Sequence, residues 1–150
     1  MRRDTYRVWI DCDPTELFSV LMDPAANRRW QTGVVQTTST SDGEAAVGMT
    51  MTERREFAGY QVSLRYRLVE MEWAQRAVVE LLDGPLRGTA SYRCRALNGG
   101  TELTIALAVA PQGRWRCAAR AVAAVMTAEL AFSCQRLKAL LEQPAAVRAA

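Results

Sequence analysis

Apolar and polar residues along this chain fall into two periods, and the switch between them divides it into segments. Tyr6, Val8, Ile10 and Cys12 alternate with polar or interfacial residues, which predicts a first strand over 5–12. Asp13-Pro14-Thr15-Glu16 then supplies a capping carboxylate, a proline suited to the first helical turn, and an acid three residues after the cap. Leu17, Phe18, Leu21 and Met22 give that helix one apolar face. Asp23-Pro24 repeats the start signal and predicts a second short helix running to about Trp30.

From Gly33 onward the period becomes two. Strands are predicted over 33–41, 48–57, 60–71, 76–82, 87–97 and 101–110. Their separators are rich in turn formers: Ser41-Asp42-Gly43, Ala58-Gly59, Trp73-Ala74-Gln75, Asp83-Gly84-Pro85 and Asn98-Gly99-Gly100. Links this short join antiparallel neighbours, so the expected sheet is a meander. After Pro111-Gln112-Gly113 nothing breaks a helix before Pro144, which predicts one helix over 114–142, roughly 43 Å long. Residues 145–150 read as a frayed tail. With no repeat and no linker, a single domain with its core at about 5–142 accounts for the chain.

Composition fits this picture and removes several chemistries. The 150 residues are 49% apolar and 23% charged, as in ordinary globular domains. There is no histidine, so no imidazole base, no histidine-paired nucleophile and no histidine-ligated metal is available. Cys12, Cys94, Cys117 and Cys134 lack metal-site spacing and read as small buried apolar residues, not disulfides. No glycine-rich phosphate loop is present, and no cofactor is expected. The net charge is only +3, from 18 arginines and Lys138 scattered among strands, which argues against a nucleic-acid surface. The apolar run from Cys117 to Met126 is interrupted by Arg120, so stable membrane insertion is not expected. The start of the chain lacks an apolar signal core, so a cytoplasmic location is expected.

The candidate site lies between the last helix and the strands. With Val122 at zero and 100° per residue, Trp115, Ala118, Ala119, Val125, Met126, Leu137 and Leu140 share a sheet-facing stripe. Glu129 sits near the stripe's centre, at about −20°, flanked by Ser133 and Arg136 at about +20° and −40°. A carboxylate there must be paired, wet or protonated. It either bonds Ser133 or an arginine, or projects into a cavity. On the opposite wall Tyr60, Val62, Leu64, Tyr66 and Leu68 share one strand face, and Ala90, Tyr92, Cys94 and Ala96 another. The small residues of the latter leave room for a void, unless Trp30, Phe57 or Trp115 fills it. Met49, Met51, Glu53 and Arg55 form a weaker candidate lining.

The element order, together with Val8-Trp9-Ile10 leading into Asp13-Pro14-Thr15-Glu16-Leu17-Phe18, Asp23-Pro24 followed by Trp30, Pro85-Leu86-Arg87-Gly88-Thr89, Gly99-Gly100-Thr101-Glu102-Leu103-Thr104 and Arg136-Leu137-Lys138-Ala139-Leu140-Leu141, resembles the START-like helix-grip superfamily (SRPBCC). That group includes Bet v 1 and the polyketide cyclase/dehydrase and lipid-transport proteins. The resemblance implies an α+β fold: a seven-stranded antiparallel sheet gripping a long C-terminal helix, with two short helices after strand 1. It also implies a cavity for a small or elongated hydrophobic ligand. The expected lining is Tyr60, Tyr66, Tyr92, Met126, Glu129 and Ser133, with Trp30 near the entrance. Two alternatives stand beside a carrier. One is a cyclase/dehydrase with Glu129 as general base and Tyr66 or Tyr92 as proton donor. The other is an interaction module using Trp9 and Trp73. Asp13 replaces the usual alanine of the family pattern. The pocket arginine of aromatase/cyclases would fall around Leu68, with Arg67 facing away.

Overall fold

A computed structural model describes residues 2–40 and 43–144; the Ser41-Asp42 part of the predicted turn and the predicted tail at 145–150 lie outside the described residues. Seven strands form one antiparallel sheet: β1 (Arg2–Ile10), β2 (Val34–Ser39), β3 (Thr50–Phe57), β4 (Tyr60–Glu72), β5 (Arg76–Asp83), β6 (Leu86–Leu97) and β7 (Gly100–Pro111). Their order is β1-β7-β6-β5-β4-β3-β2. The six later strands are the predicted meander, and β1 closes against β7 in the register Val8↔Leu103 and Ile10↔Thr101. β1 starts and stops earlier than its alternation predicts. Its ladder has no partner beyond Thr101, and the Cys12 amide turns back to the Ile10 carbonyl at 2.9 Å.

Between β1 and β2 the chain crosses from one sheet edge to the other through α1 (Pro14–Leu21), a 3-10 turn at Pro24–Ala26, and α2 (Asn27–Trp30). Both predicted caps form. The Asp13 carboxylate accepts from the Thr15 amide at 2.8 Å, and the Asp23 carboxylate from the Ala25 amide at 3.0 Å. The second predicted helix shortens to a 3-10 turn and a single α turn. The sharp entry and exit of this segment let Trp30 point inward, where it is 2% exposed.

The final helix, α3, runs Ala119–Glu142; Gly113–Ala118 is a 3-10 segment instead of the predicted α-helix. Among the described residues no side chain caps α3, and Trp115 is held edge-on by Phe57 and Tyr60, with ring centroids 5.5 Å away in each case. The sheet-facing stripe therefore begins at Val122, not at Ala118 or Ala119, which are exposed. By length and composition alone Gly113–Glu142 could cross a membrane, a test that the core helix of a globular fold also passes. In this fold Val122, Met126, Cys134, Leu137 and Leu141 are buried instead, while Phe132 stays 67% exposed on the outer side.

The main core packs Ile10, Leu17, Phe18, Leu68, Leu103 and Leu137 at the β1 and α1 end. A second, smaller cluster gathers Phe57, Val109, Val122 and Met126 at the other. The span between the two is where the packing opens. Gly88 (φ +134°) belongs to this geometry: a Cβ there would collide with the Ala108 carbonyl on β7. Only glycine allows β6 that approach.

Candidate functional site

Between α3 and the concave face of the sheet lies a cavity of about 150 Å³. Its walls come from every layer of the fold. Phe57 and Leu64 line it from β3 and β4, Val79 and Leu81 from β5, Ala90 and Tyr92 from β6, and Ile105, Leu107 and Val109 from β7. Met126, Glu129, Leu130 and Ser133 close it from α3, Pro85 and Leu86 from the β5–β6 corner, and Trp30 and Gln31 from α2 and its end. Ala90 explains much of the space, because a methyl group stands where neighbouring strands place larger side chains. A second void of about 30 Å³ continues towards Met22, Met49 and Met51, sharing Gln31, Tyr66, Val79 and Tyr92 with the first.

The lining is apolar except at one pole, built by β3. Strand alternation turns Met51, Glu53 and Phe57 inward; Glu53 is 2% exposed, and Arg55 lies mostly buried beside it. Arg55 Nε lies 3.2 Å from Glu53 Oε1, an ion pair without aligned hydrogen-bond geometry. Arg55 Nη2 also reaches Gln31 Oε1 at 3.4 Å and the Thr32 carbonyl at 3.3 Å. Glu53 Oε2 accepts from Thr37 Oγ1 and from the Tyr66 hydroxyl, both at 3.4 Å, and Asn27 Nδ2 donates to the same phenol at 3.0 Å.

Burial raises the Glu53 carboxyl above its ordinary range, against the pull of Arg55, Thr37 and Tyr66. Burial likewise pushes the Tyr92 phenol up to about 12, aided by the Glu53 charge, and holds Tyr66 well above its usual value. Both phenols therefore stay protonated near neutrality, and Tyr66 donates its proton to Glu53.

Glu129 is half-buried in the same wall. Its Oε1 lies over Gly33 (φ +86°), a position that admits no side chain because a Cβ would strike the Glu56 carbonyl. Burial raises the Glu129 carboxyl, with Arg55 opposing. Among the described residues no hydrogen bond or ion pair engages it. Ser133, one expected partner, instead accepts from the Thr32 amide at 2.8 Å, and Arg136 donates to the Arg29 carbonyl at 3.2 Å. Of the two arrangements open to Glu129, the structure has the carboxylate facing the cavity.

Six of the seven expected lining residues meet here: Trp30, Tyr66, Tyr92, Met126, Glu129 and Ser133. Tyr60 does not. It has the expected strand parity, but it sits at the hairpin end opposite Phe57, is 56% exposed, and packs on Trp115 and under the Arg114 guanidinium. Phe57 takes the inner place. Trp30 is a buried wall residue and not a rim residue, and its indole N–H has no partner among the described residues. The strongest polar elements, Glu53 and Arg55, are only a weaker candidate lining by sequence. The signal for them is two charges on the inward parity of β3 between Met51 and Phe57. Leu68 is buried in the core and Arg67 pairs outside with Glu80 at 3.1 Å, so the guanidinium in this cavity is Arg55.

Other residues singled out by sequence lie away from the cavity, and Trp9 and Trp73 remain exposed. Trp9 donates to the Leu97 carbonyl at 2.8 Å beneath Lys138, and Trp73 packs edge-on to Phe18 at 5.1 Å. Cys12, Cys94 and Cys134 are buried as expected, whereas Cys117, on the 3-10 segment that Trp115 anchors to the sheet, is exposed.

An antiparallel sheet curved around a long C-terminal helix, with a cavity between them, defines a START-like helix-grip domain. Solved structures share this fold. TTHA0849 from Thermus thermophilus superposes with a TM-score of 0.79 at 11% identity, over 92% of this chain and 95% of that one. The Zhui aromatase/cyclase from Streptomyces sp. R1128 gives 0.78 at 15% identity, over 97% of both chains. A START superfamily protein from Mycobacterium smegmatis gives 0.76 at 15% identity, over 94% and 97%. Among curated proteins none matches by sequence. The chain belongs to the polyketide cyclase / dehydrase and lipid transport family, whose model matches residues 1–142.

Proposed function

We propose that this protein binds a small hydrophobic molecule in the cavity between α3 and the sheet. The observation that carries the reading is the void itself: about 150 Å³, bounded largely by aliphatic and aromatic side chains, with its polar groups gathered at one pole. An apolar cavity near this size accepts a benzene-sized guest. The apolar body of the ligand would lie among Phe57, Leu64, Ala90 and Met126, and its polar end beside Glu129. Tyr66, Tyr92, Ser133 and Trp30 complete the proposed wall. Native mass spectrometry of freshly purified protein tests this, followed by titration with toluene. A co-purified apolar molecule or saturable toluene uptake is expected; absence of both would overturn the reading. A cytoplasmic location is proposed beside it, which cell fractionation checks.

A second reading, cyclase or dehydrase chemistry, draws on the unpaired Glu129 carboxyl with its raised proton affinity and on two protonated phenols in the same wall. Glu129 would take a proton from an activated carbon and Tyr66 or Tyr92 would donate to a carbonyl oxygen. A polyketide-like substrate should then give a pH–rate profile whose lower limb disappears in Glu129→Gln. An unchanged profile in that variant would remove Glu129 from the chemistry.

A further inference from the structure

The charges around the cavity are unequally engaged, and the inequality bears on what the cavity admits. Its lining contains one guanidinium, Arg55, and two carboxylates, Glu53 and Glu129. The Arg55 charge is answered within the wall by Glu53 at 3.2 Å, and its Nη2 is tied to Gln31 and the Thr32 carbonyl. Glu129 has no such contact: among the described residues nothing bonds its oxygens, the Arg55 charge reaches it only at longer range, and it projects from the middle of α3 over Gly33. The phenols of Tyr66 and Tyr92 are neutral. The orphan indole N–H of Trp30 is neutral too, and its nitrogen is closed off by burial. The lining therefore has one more carboxylate than guanidinium, and Glu129 is the carboxylate that no group bonds, while the one cation is already paired with Glu53.

Resting on the ligand-binding reading above, we infer that the cavity selects an apolar molecule ending in a hydrogen-bond donor, a hydroxyl or amino group placed on Glu129, and rejects one ending in carboxylate or phosphate. A donor satisfies a carboxylate that otherwise has only partial solvation. A bare hydrocarbon displaces the water that solvates it and offers nothing in return, which costs binding energy. An anion meets like charge at short range, and displacing Glu53 to reach Arg55 would break a buried pair. A fatty acid is thus a poor ligand even though its chain suits the walls.

The test uses four probes with one common ring: toluene, benzyl alcohol, benzylamine and benzoate, titrated by calorimetry into the full chain at pH 8 so that Glu129 stays ionised. Benzyl alcohol and benzylamine should bind more tightly than toluene. Benzoate should bind at least about tenfold more weakly than toluene, the minimum expected of one like charge a few ångström away. In Glu129→Gln, a near-isosteric change that removes the charge, toluene should bind more tightly than to the wild type, and the penalty on benzoate relative to toluene should vanish. Benzoate binding as well as benzyl alcohol in the wild type, or a benzoate penalty that persists in Glu129→Gln, would overturn the inference and leave the cavity reading intact. If none of the four binds, the cavity reading itself fails.

Discussion

Replacing Ala90 with leucine would fill the cavity from the sheet side, and the structure sets how large the consequence should be. Ala90 is buried on β6, paired with Val79 on β5 and Leu107 on β7, and its methyl group borders the void. Leucine adds three carbons. At about 0.8 kcal/mol for each carbon taken into apolar surroundings, full accommodation would contribute about 2.4 kcal/mol. In a close-packed core the same insertion costs about 1–3 kcal/mol through strained rotamers and backbone shifts. The sign of the change therefore reports whether the space is empty. For a domain of this length, 1 kcal/mol moves the melting temperature by about 2–4 °C. We expect Ala90→Leu to melt at the wild-type temperature or up to about 10 °C above it, followed by circular dichroism, and to lose toluene uptake at least tenfold. A fall in melting temperature with toluene uptake intact would refute the reasoning. It would mean that the strands have no room at Ala90 and that the probe binds elsewhere.

Two further outcomes follow from the polar pole. Because burial raises the Glu129 carboxyl, the native state holds its proton more tightly than the unfolded chain does. Its contribution to stability is then greatest below the ordinary carboxylate value of 4.5, falls as pH rises through the window up to the raised folded value, and stays lost above it. Glu129→Gln should therefore melt higher than wild type at pH 8 and converge with it near pH 4; equal offsets at both pH values would contradict this. Glu53→Ala should behave oppositely, leaving the mostly buried Arg55 guanidinium without its counter-charge at a cost of about 3–5 kcal/mol, read by urea denaturation. A loss below about 1 kcal/mol would show that Arg55 finds water or another acceptor with little penalty.

Much of the fold is legible in the sequence because its determinants are local. Asp13 and Asp23 cap from their own positions, the change of period at Gly33 marks where the strands begin, and short turns dictate antiparallel neighbours. The inward parity of Tyr66, Tyr92 and Ala90, and the place of Glu129 on the inner stripe of α3, also follow from residue spacing alone. Periodicity gives direction but not depth, which is why Tyr60 departs from the expected wall. It points to the same side as Tyr66, yet lies at the hairpin end, where Trp115 and Arg114 cover it.

What only the tertiary structure decided is which polar groups find each other. Glu53 and Arg55 are two residues apart on one strand, a spacing that looks the same whether they meet water or each other. Their pairing, the reach of Tyr66 and Thr37 to Glu53, and the diversion of Ser133 to the Thr32 amide depend on α2, β2, β4 and α3 converging on one point. The solitude of the Glu129 carboxylate arises in the same way. Alternation along a chain specifies faces, because side-chain direction is a property of the local backbone. The volume left between two faces, and the charge left over inside it, depend on how far apart the rest of the molecule holds them.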